Sequence, residues 1–244
     1  MRDHLLDLVQ HTYALGNIDV VKITGTATET IIESLADDKT LVLQAKFKQP
    51  IAEFQGTFGM PNLGKLKTML DIPEYKENAQ ITLNTVAKAD GTTLPVGLHF
   101  ENAAGDFKND YRFMTAEIIA EKMKSVKMKP VNWEVSVVPT VANIQRLKFM
   151  SSAHSEEPQC AARTENNDLK FFFGDHSSHA GSFVFAAGVG NVLTAPLRWP
   201  VATINNIFAL PGDKEFKISN SSLAQITVDS GLAVYTYLLP AQSK

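Results

Sequence analysis

Residues 59–70, GMPNLGKLKTML, and residues 198–210, RWPVATINNIFAL, are the same device written twice. In the first, Pro61 suits the opening turn of a helix, where a missing N–H costs nothing, and Leu63, Leu66 and Leu70 share the inward face that follows. In the second, Pro200 stands where Pro61 stands in the first. Working outward, the first copy is preceded by a helix-like segment at 5–13, with Leu5, Leu6, Val9 and Tyr13 on one face. Strand-like segments follow at 18–24, 29–35, 40–47 and 52–58, with Asp37-Asp38-Lys39 as a hairpin turn. After the device come strands at 79–87, 94–101 and 107–114.

The second copy sits in the same order of elements. A strand, VNWEVSVV (131–138), leads into a helix at 141–153 that carries Ile144, Leu147 and Ser151 at helical spacing. Strands are expected near 158–164, 168–174, 181–187 and 193–199, then the helix at 201–210, then three more strands. The interval from Leu6 to Ile144 agrees with that from Pro61 to Pro200 to within a single position. Residue identity between the halves is slight, so the duplication is one of pattern. Strands that run in consecutive groups, with two helices per half, point to an α+β fold in which a helix pair packs on antiparallel sheet. The expected division is 1–115 and 131–244, joined by 116–130, AEIIAEKMKSVKMKP. In that link Lys122, Lys124, Lys127 and Lys129 are interspersed with apolar residues; fully extended, it spans on the order of 50 Å.

The totals narrow the class. With 244 residues, 44% hydrophobic and 20% charged, the chain has the composition of a globular protein. A net charge of −3 argues against coating nucleic acid by bulk positive charge, while leaving room for a local basic surface. One cysteine, Cys160, forms no internal disulfide, and a reducing cytoplasm is the expected setting. No apolar run approaches the length that a membrane-spanning helix needs. Asp3 and Asp7 interrupt the leucines of the N-terminal segment, which reads as a helix of the fold rather than a targeting signal.

The ending, SSLAQITVDSGLAVYTYLLPA (221–241), alternates Ala224, Ile226 and Val228 with polar residues, turns at Asp229-Ser230-Gly231, and closes on a second strand too apolar to lie bare. Its DSGLAVYTYLLPA is similar to the acidic-Ser/Met-Gly-x-x-x-Tyr-Tyr-Leu-x-Pro ending of DNA sliding clamps, the polymerase processivity factors. With the duplicated order of elements, the whole chain resembles the two-domain clamps of tailed phages, archaea and eukaryotes. The resemblance implies the DNA clamp fold and a homotrimer joined head to tail around duplex DNA, with helices lining the hole. It implies no catalysis and no cofactor. DNA polymerase and a clamp loader are the implied partners, in a host cytoplasm if the source is a phage, with a role in late transcription in some phages. It also implies a groove for partner peptides between the link and the C-terminal strand, made here of Ile118, Ile119, Met123, Tyr235, Tyr237, Leu238, Leu239 and Pro240.

On a helical wheel, Lys65 and Thr68 fall opposite the apolar face of the 62–70 helix, with Lys67 flanking. Gln145 and Arg146 point outward from 141–153, with Lys148 nearer its apolar side; His4, His11 and Asp7 are outward on the first helix and Asn206 on the last. The expected DNA-facing set is therefore His4, His11, Lys65, Lys67, Gln145, Arg146, Lys148 and Asn206. This is a milder lining than the lysine-rich helices of the family. Rival readings are a duplex-DNA-binding or transcription-regulating protein with a clamp-like fold and no closed ring, and a metal enzyme built on Asp175, His176 and His179. GDHSSH reads better as a polar hairpin, no spacing supports a Cys160–His154 nucleophile pair, and AAGVGN lacks the lysine of a phosphate loop.

Overall fold

The computed structural model describes every residue except 37, 88–90, 92, 125–129, 176–178 and 243–244. The chain opens with α1 (Arg2–Gln10) and a 3-10 turn (Tyr13–Leu15). Four strands follow: β1 (Val20–Gly25), β2 (Thr30–Leu35), β3 (Val42–Phe47) and β4 (Gly56–Pro61). Then come α2 (Leu63–Asp71), a 3-10 turn (Pro73–Tyr75), β5 (Gln80–Ala87), β6 (Thr93–Glu101) and β7 (Lys108–Arg112). α3 (Ala116–Lys122) and β8 (Val135–Val137) lead to the second set: α4 (Val141–Ala153), β9 (Gln159–Glu165), β10 (Asp168–Phe173), β11 (Gly181–Ala186) and β12 (Leu197–Pro200). The chain ends with α5 (Val201–Ala209), β13 (Asp213–Ser219), β14 (Leu223–Asp229) and β15 (Ala233–Pro240).

Contacts divide the chain into two compact units, Met1–Lys127 with Ser230–Tyr235, and Met128–Asp229 with Thr236–Lys244. In the first, antiparallel strands run β4-β1-β2-β3, and the start of β15 lies beyond β3, where the Lys48 N–H donates to the Leu232 carbonyl at 2.9 Å. A three-stranded sheet β5-β6-β7 completes it. In the second unit the order is β11-β10-β9-β12, with β15-β14-β13-β8 as the other sheet. The two topologies are the same, fourth-first-second-third, with a three-strand meander.

The repeat holds in register as well as in order. Val20 pairs with Pro61, and Gln159 with Pro200, so one and the same shift along the chain carries both members of the first pair onto the second. An isolated bridge joins Gly59 to Met114, and its counterpart joins Arg198 to Gln242. The helices obey the same shift. The Thr12 hydroxyl donates to the Leu8 carbonyl at 2.6 Å, and the Ser151 hydroxyl to the Leu147 carbonyl at 2.7 Å, with Leu8 and Leu147 both buried. Leu5, not Leu6, is therefore the counterpart of Ile144: Leu5 is fully buried and Leu6 only half so, which the apolar pattern alone does not distinguish.

Alternation explains the sheets. β1, β2 and β14 bury every second residue; in β1 and β14 the buried face is apolar, while β2 buries Ile32 between Thr30, whose hydroxyl accepts from the Ile51 N–H at 2.9 Å, and Ser34, whose hydroxyl donates to the Val20 carbonyl at 2.7 Å. In the first unit Leu5, Leu8 and Val9 of α1 and Leu63, Leu66, Met69 and Leu70 of α2 fill the core, and α1 packs on α2. In the second, α4 packs on α5, and Phe171, Phe185, Phe208 and Phe216 form a ring cluster with centroids 5.1–6.2 Å apart. Each such ring contributes about 1.5–3 kcal/mol by burial, with offset and edge-to-face pairing adding to it.

Several boundaries differ from expectation for local reasons. Pro61 closes β4, and Asn62 at φ +52° is the N-cap of α2, so the proline precedes the helix; Pro200 is itself the N-cap of α5. The strand expected at 52–58 begins at Gly56 because residues 51–54 form a turn, with the Phe54 N–H donating to the Ile51 carbonyl. The strand expected at 193–199 starts at Leu197, after Pro196. Asp37 of the expected hairpin turn lies outside the described residues; Lys39 has φ +58° and its N–H donates to the Ala36 carbonyl at 2.8 Å.

Candidate nucleic-acid face and partner groove

In the first unit the exposed side of α2 carries Lys65, Lys67 and Thr68. Lys67 is tied to Asp71 one turn on, with both side chains half-exposed, and this bond is what holds the Asp71 carboxyl below the usual carboxylate range. Lys65 has no side-chain partner among the described residues. The lysine pair of the sequence thus presents one free cation and one neutralised cation.

The first helix corrects two expectations. His11 is 1% exposed and cannot face DNA. α1 ends at Gln10, so the helical wheel no longer applies at His11; the ring stacks on Tyr235 with centroids 4.5 Å apart, and Nδ1 lies 2.9 Å from the Asp7 carbonyl. Asp7 is also turned inward. Its carboxylate accepts from the Tyr235 hydroxyl at 2.8 Å and the Ser230 hydroxyl at 3.0 Å, with His11 Nδ1 3.3 Å away. His4 is half-buried, its ring edge-on to Phe47 at 5.3 Å. Both histidines serve packing, and the sequence held no local sign of it, because the ring that covers His11 belongs to the last strand.

In the second unit α4 and α5 flank a concavity of about 1030 Å³ lined by Gln145, Lys148, Ser151, Ser152, Asn205 and Asn206, among others. Gln145, Lys148 and Asn206 are thus brought together, and Lys148 is exposed rather than turned toward the core. Arg146 is exposed on the other flank, its guanidinium 5.4 Å from the Phe183 ring of β11. α4 is started by a capping box: Thr140 Oγ1 accepts from the Asn143 N–H at 3.2 Å, and Asn143 Oδ1 accepts from the Thr140 N–H at 3.0 Å.

The groove residues divide by burial. Ile119 and Met123 are buried, Ile119 against Gly59 of β4, where an added Cβ would come within 3.0 Å of its side chain. Ile118 is 47% exposed. Tyr235, Tyr237, Leu238 and Leu239 are at most 2% exposed, and Pro240 is exposed. The rings and leucines expected to be partly available are covered by the chain itself: Tyr235 by His11 and Asp7, and the strand at Leu239 by Trp199, whose indole N–H donates to the Leu239 carbonyl at 2.8 Å. Sequence reasoning missed an open concavity of about 550 Å³ in the first unit, lined by Val20, Leu35, Ala36, Met114, Lys122 and Met123 among others. Lys127 and Lys129 of the link lie outside the described residues.

The chemistry set aside in the sequence has no assembled site. His176 lies outside the described residues, and among the described residues no group of three or more His, Cys, Asp or Glu side chains is placed to hold a metal ion. Cys160 is fully enclosed, its thiol pKa pushed up to about 12 by burial, and His154 stacks on Phe173 at 5.7 Å. No described helix is long and apolar enough to cross a membrane.

No protein-family model matches the sequence, and no curated protein is similar to it at the level of sequence. Solved structures are similar in fold. PCNA of A. fulgidus, in a structure with the C-terminal region of FEN-1, superposes with a TM-score of 0.69 at 9% identity, over 100% of this chain and 97% of that one. PCNA of Thermococcus kodakaraensis gives 0.69 at 10% identity, over 99% and 97%. Proliferating Cellular Nuclear Antigen of Entamoeba histolytica gives 0.68 at 12%, over 97% and 94%. At such identities the likeness is one of fold, and it spans both halves: the chain has the α+β fold of the PCNA sliding clamps.

Proposed function

We propose that the chain is a DNA sliding clamp: three copies joined head to tail around duplex DNA, a processivity factor that tethers polymerase and is opened by a loader. In this reading the clamp domains are 1–115 and 131–244, joined by 116–130. The observation that carries it is the pair of open strand edges within a repeat that keeps its register. β3 has the start of β15 beyond it, whereas β11, its counterpart, ends its sheet order, and β7, the counterpart of β15, ends another. Two different unpaired edges among the described strands of one chain are what a heterologous, ring-closing contact between copies requires.

The helix surfaces fit weak attraction to phosphates. Lys65, Lys148, Gln145 and Asn206 offer a few cations and amides, and Lys67 is neutralised by Asp71. Retention by encirclement needs no strong contact energy, and weak uniform contacts permit sliding. Partner peptides dock beside the link, with Ile118 and the concavity at Leu35, Met114 and Met123 as the accessible part of the groove. The PCNA of A. fulgidus, which has this fold, is bound to the C-terminal region of FEN-1. Sedimentation equilibrium from nanomolar to micromolar protein tests the assembly: a trimer is expected, and a monomer throughout favours a DNA-binding protein that forms no ring.

A further inference from the structure

The outward side of α4 carries a ring that the core does not use. Leu147 is the buried residue of this helix, and Phe149, two positions on, projects from the opposite side. Phe149 is 69% exposed, and among the described residues no other ring packs on it. The step of the repeat that carries Thr12 onto Ser151 carries Gln10 onto Phe149, and Gln10 is exposed as well. A polar residue satisfies this position in the other half, so the packing of the unit does not call for an aromatic ring.

The groups around the ring are polar and basic. On a helix surface the neighbours of Gln145 stand three and four positions on, and these are Lys148 and Phe149. All three side chains are exposed, and Gln145 and Lys148 also line the concavity of about 1030 Å³ between α4 and α5. Lys148 has no ion-pair partner among the described residues, and Arg146, one turn before Phe149, adds a second cation. The chain as a whole is acidic, with 26 Asp and Glu against 23 Lys and Arg, yet neither α4 nor α5 contains a carboxylate side chain. Glu157, beyond the end of α4, is the one acidic residue on the lining of the concavity.

We propose that this face holds an unpaired nucleotide of a DNA strand: the Phe149 ring stacks on the base, the Gln145 amide serves its edge and Lys148 serves a phosphate. This deepens the clamp reading, on which it rests for bringing DNA to α4, and names the form of DNA that α4 prefers. In a duplex both faces of each base are covered by its neighbours, so a projecting phenyl ring meets only sugar and phosphate and stays largely wet. An unpaired base offers an open face, and stacking on it tolerates any base. Two cations with no carboxylate on either helix favour a polyanion over a protein as the occupant.

The test is fluorescence anisotropy of a labelled oligothymidylate and of a mixed-sequence duplex, with the full chain at a concentration where sedimentation has fixed its assembly state. Phe149→Ala is expected to weaken single-strand binding about tenfold and to leave duplex binding within about twofold, with Phe149→Trp close to wild type. On the single strand, Lys148→Gln should flatten the slope of log K against log salt by about 0.7, whereas Phe149→Ala should leave that slope unchanged. On a strand of abasic sites, wild type and Phe149→Ala should bind alike. Equal weakening on single strand and duplex, weakening on neither, or a wild-type chain that does not bind the single strand, as a ring kept for a protein partner would give, overturns the site. A trimer whose single-strand affinity ignores Phe149 overturns the site and leaves the ring; a chain that stays monomeric with Phe149-dependent binding overturns the ring and leaves the site.

Discussion

Replacing Asp71 by Asn is the most informative single change on the helix surfaces. Asp71 sits one turn after Lys67 and neutralises it, and that bond is the first cause of the lowered Asp71 pKa. The substitution removes one negative charge per chain and frees one ammonium group on the face that also carries Lys65. Exposed ion pairs contribute little to stability, so the denaturation midpoint should stay where it is. The effect should appear in DNA attraction. Each phosphate contact added to B-DNA steepens the slope of log K against log salt by about 0.9. If one to three of the freed lysines in a ring meet phosphates at once, the slope steepens by roughly 1 to 3. The assay is fluorescence anisotropy with a short duplex from about 25 to 150 mM salt, above the concentration at which the ring assembles, a range that spans strong to moderate screening. An unchanged slope refutes the placement of α2 toward DNA.

Three further outcomes follow from the same contacts. Tyr235→Phe removes the hydroxyl donor to the Asp7 carboxylate and should cost about 2 kcal/mol in urea unfolding at fixed protomer concentration; in a double-mutant cycle with Asp7→Ala most of that cost should vanish, and strict additivity would contradict the buried network. Thr140→Ala deletes the N-cap of α4 and should lower stability by about 1 kcal/mol, with Thr140→Ser close to wild type. His99 Nδ1–H donates to the Asp110 carboxylate at 3.0 Å, and this contact, then that with Glu101, raises its pKa above 6.5. The stabilisation is full below the unfolded-state pKa and is lost as pH rises through the raised folded value, so the difference between wild type and His99→Gln should shrink across that window. An NMR titration of His99 with a midpoint at or below 6.5 would contradict the pairing.

The sequence disclosed the repeat because it is written in strong local signals. The proline-led helices at 63–71 and 201–209 repeat one apolar spacing, and the 141–153 helix shows Ile144, Leu147 and Ser151 at helical spacing. Strand alternation supplied the meanders. What stayed hidden was set by partners far along the chain. His11 reads as an outward polar residue until Tyr235, which arrives with the last strand, covers it. Tyr237, Leu238 and Leu239 read as an open apolar tail until the Trp199 indole and the neighbouring strands enclose it. The reverse holds for Phe107, whose apolar character suggests core but whose ring stays partly bare. Lys67 and Asp71 stand one helical turn apart, a spacing legible in the sequence, and their pairing alters how much positive charge the helix offers.

Encirclement itself is best measured on duplex DNA whose ends are blocked after the protein has been added. Protein held by topology survives a wash at a salt concentration that strips it from open-ended duplex, and a single internal cut then releases it. That is the expected result. Equal loss from blocked and open DNA as salt rises, or retention that a cut does not change, would contradict the account.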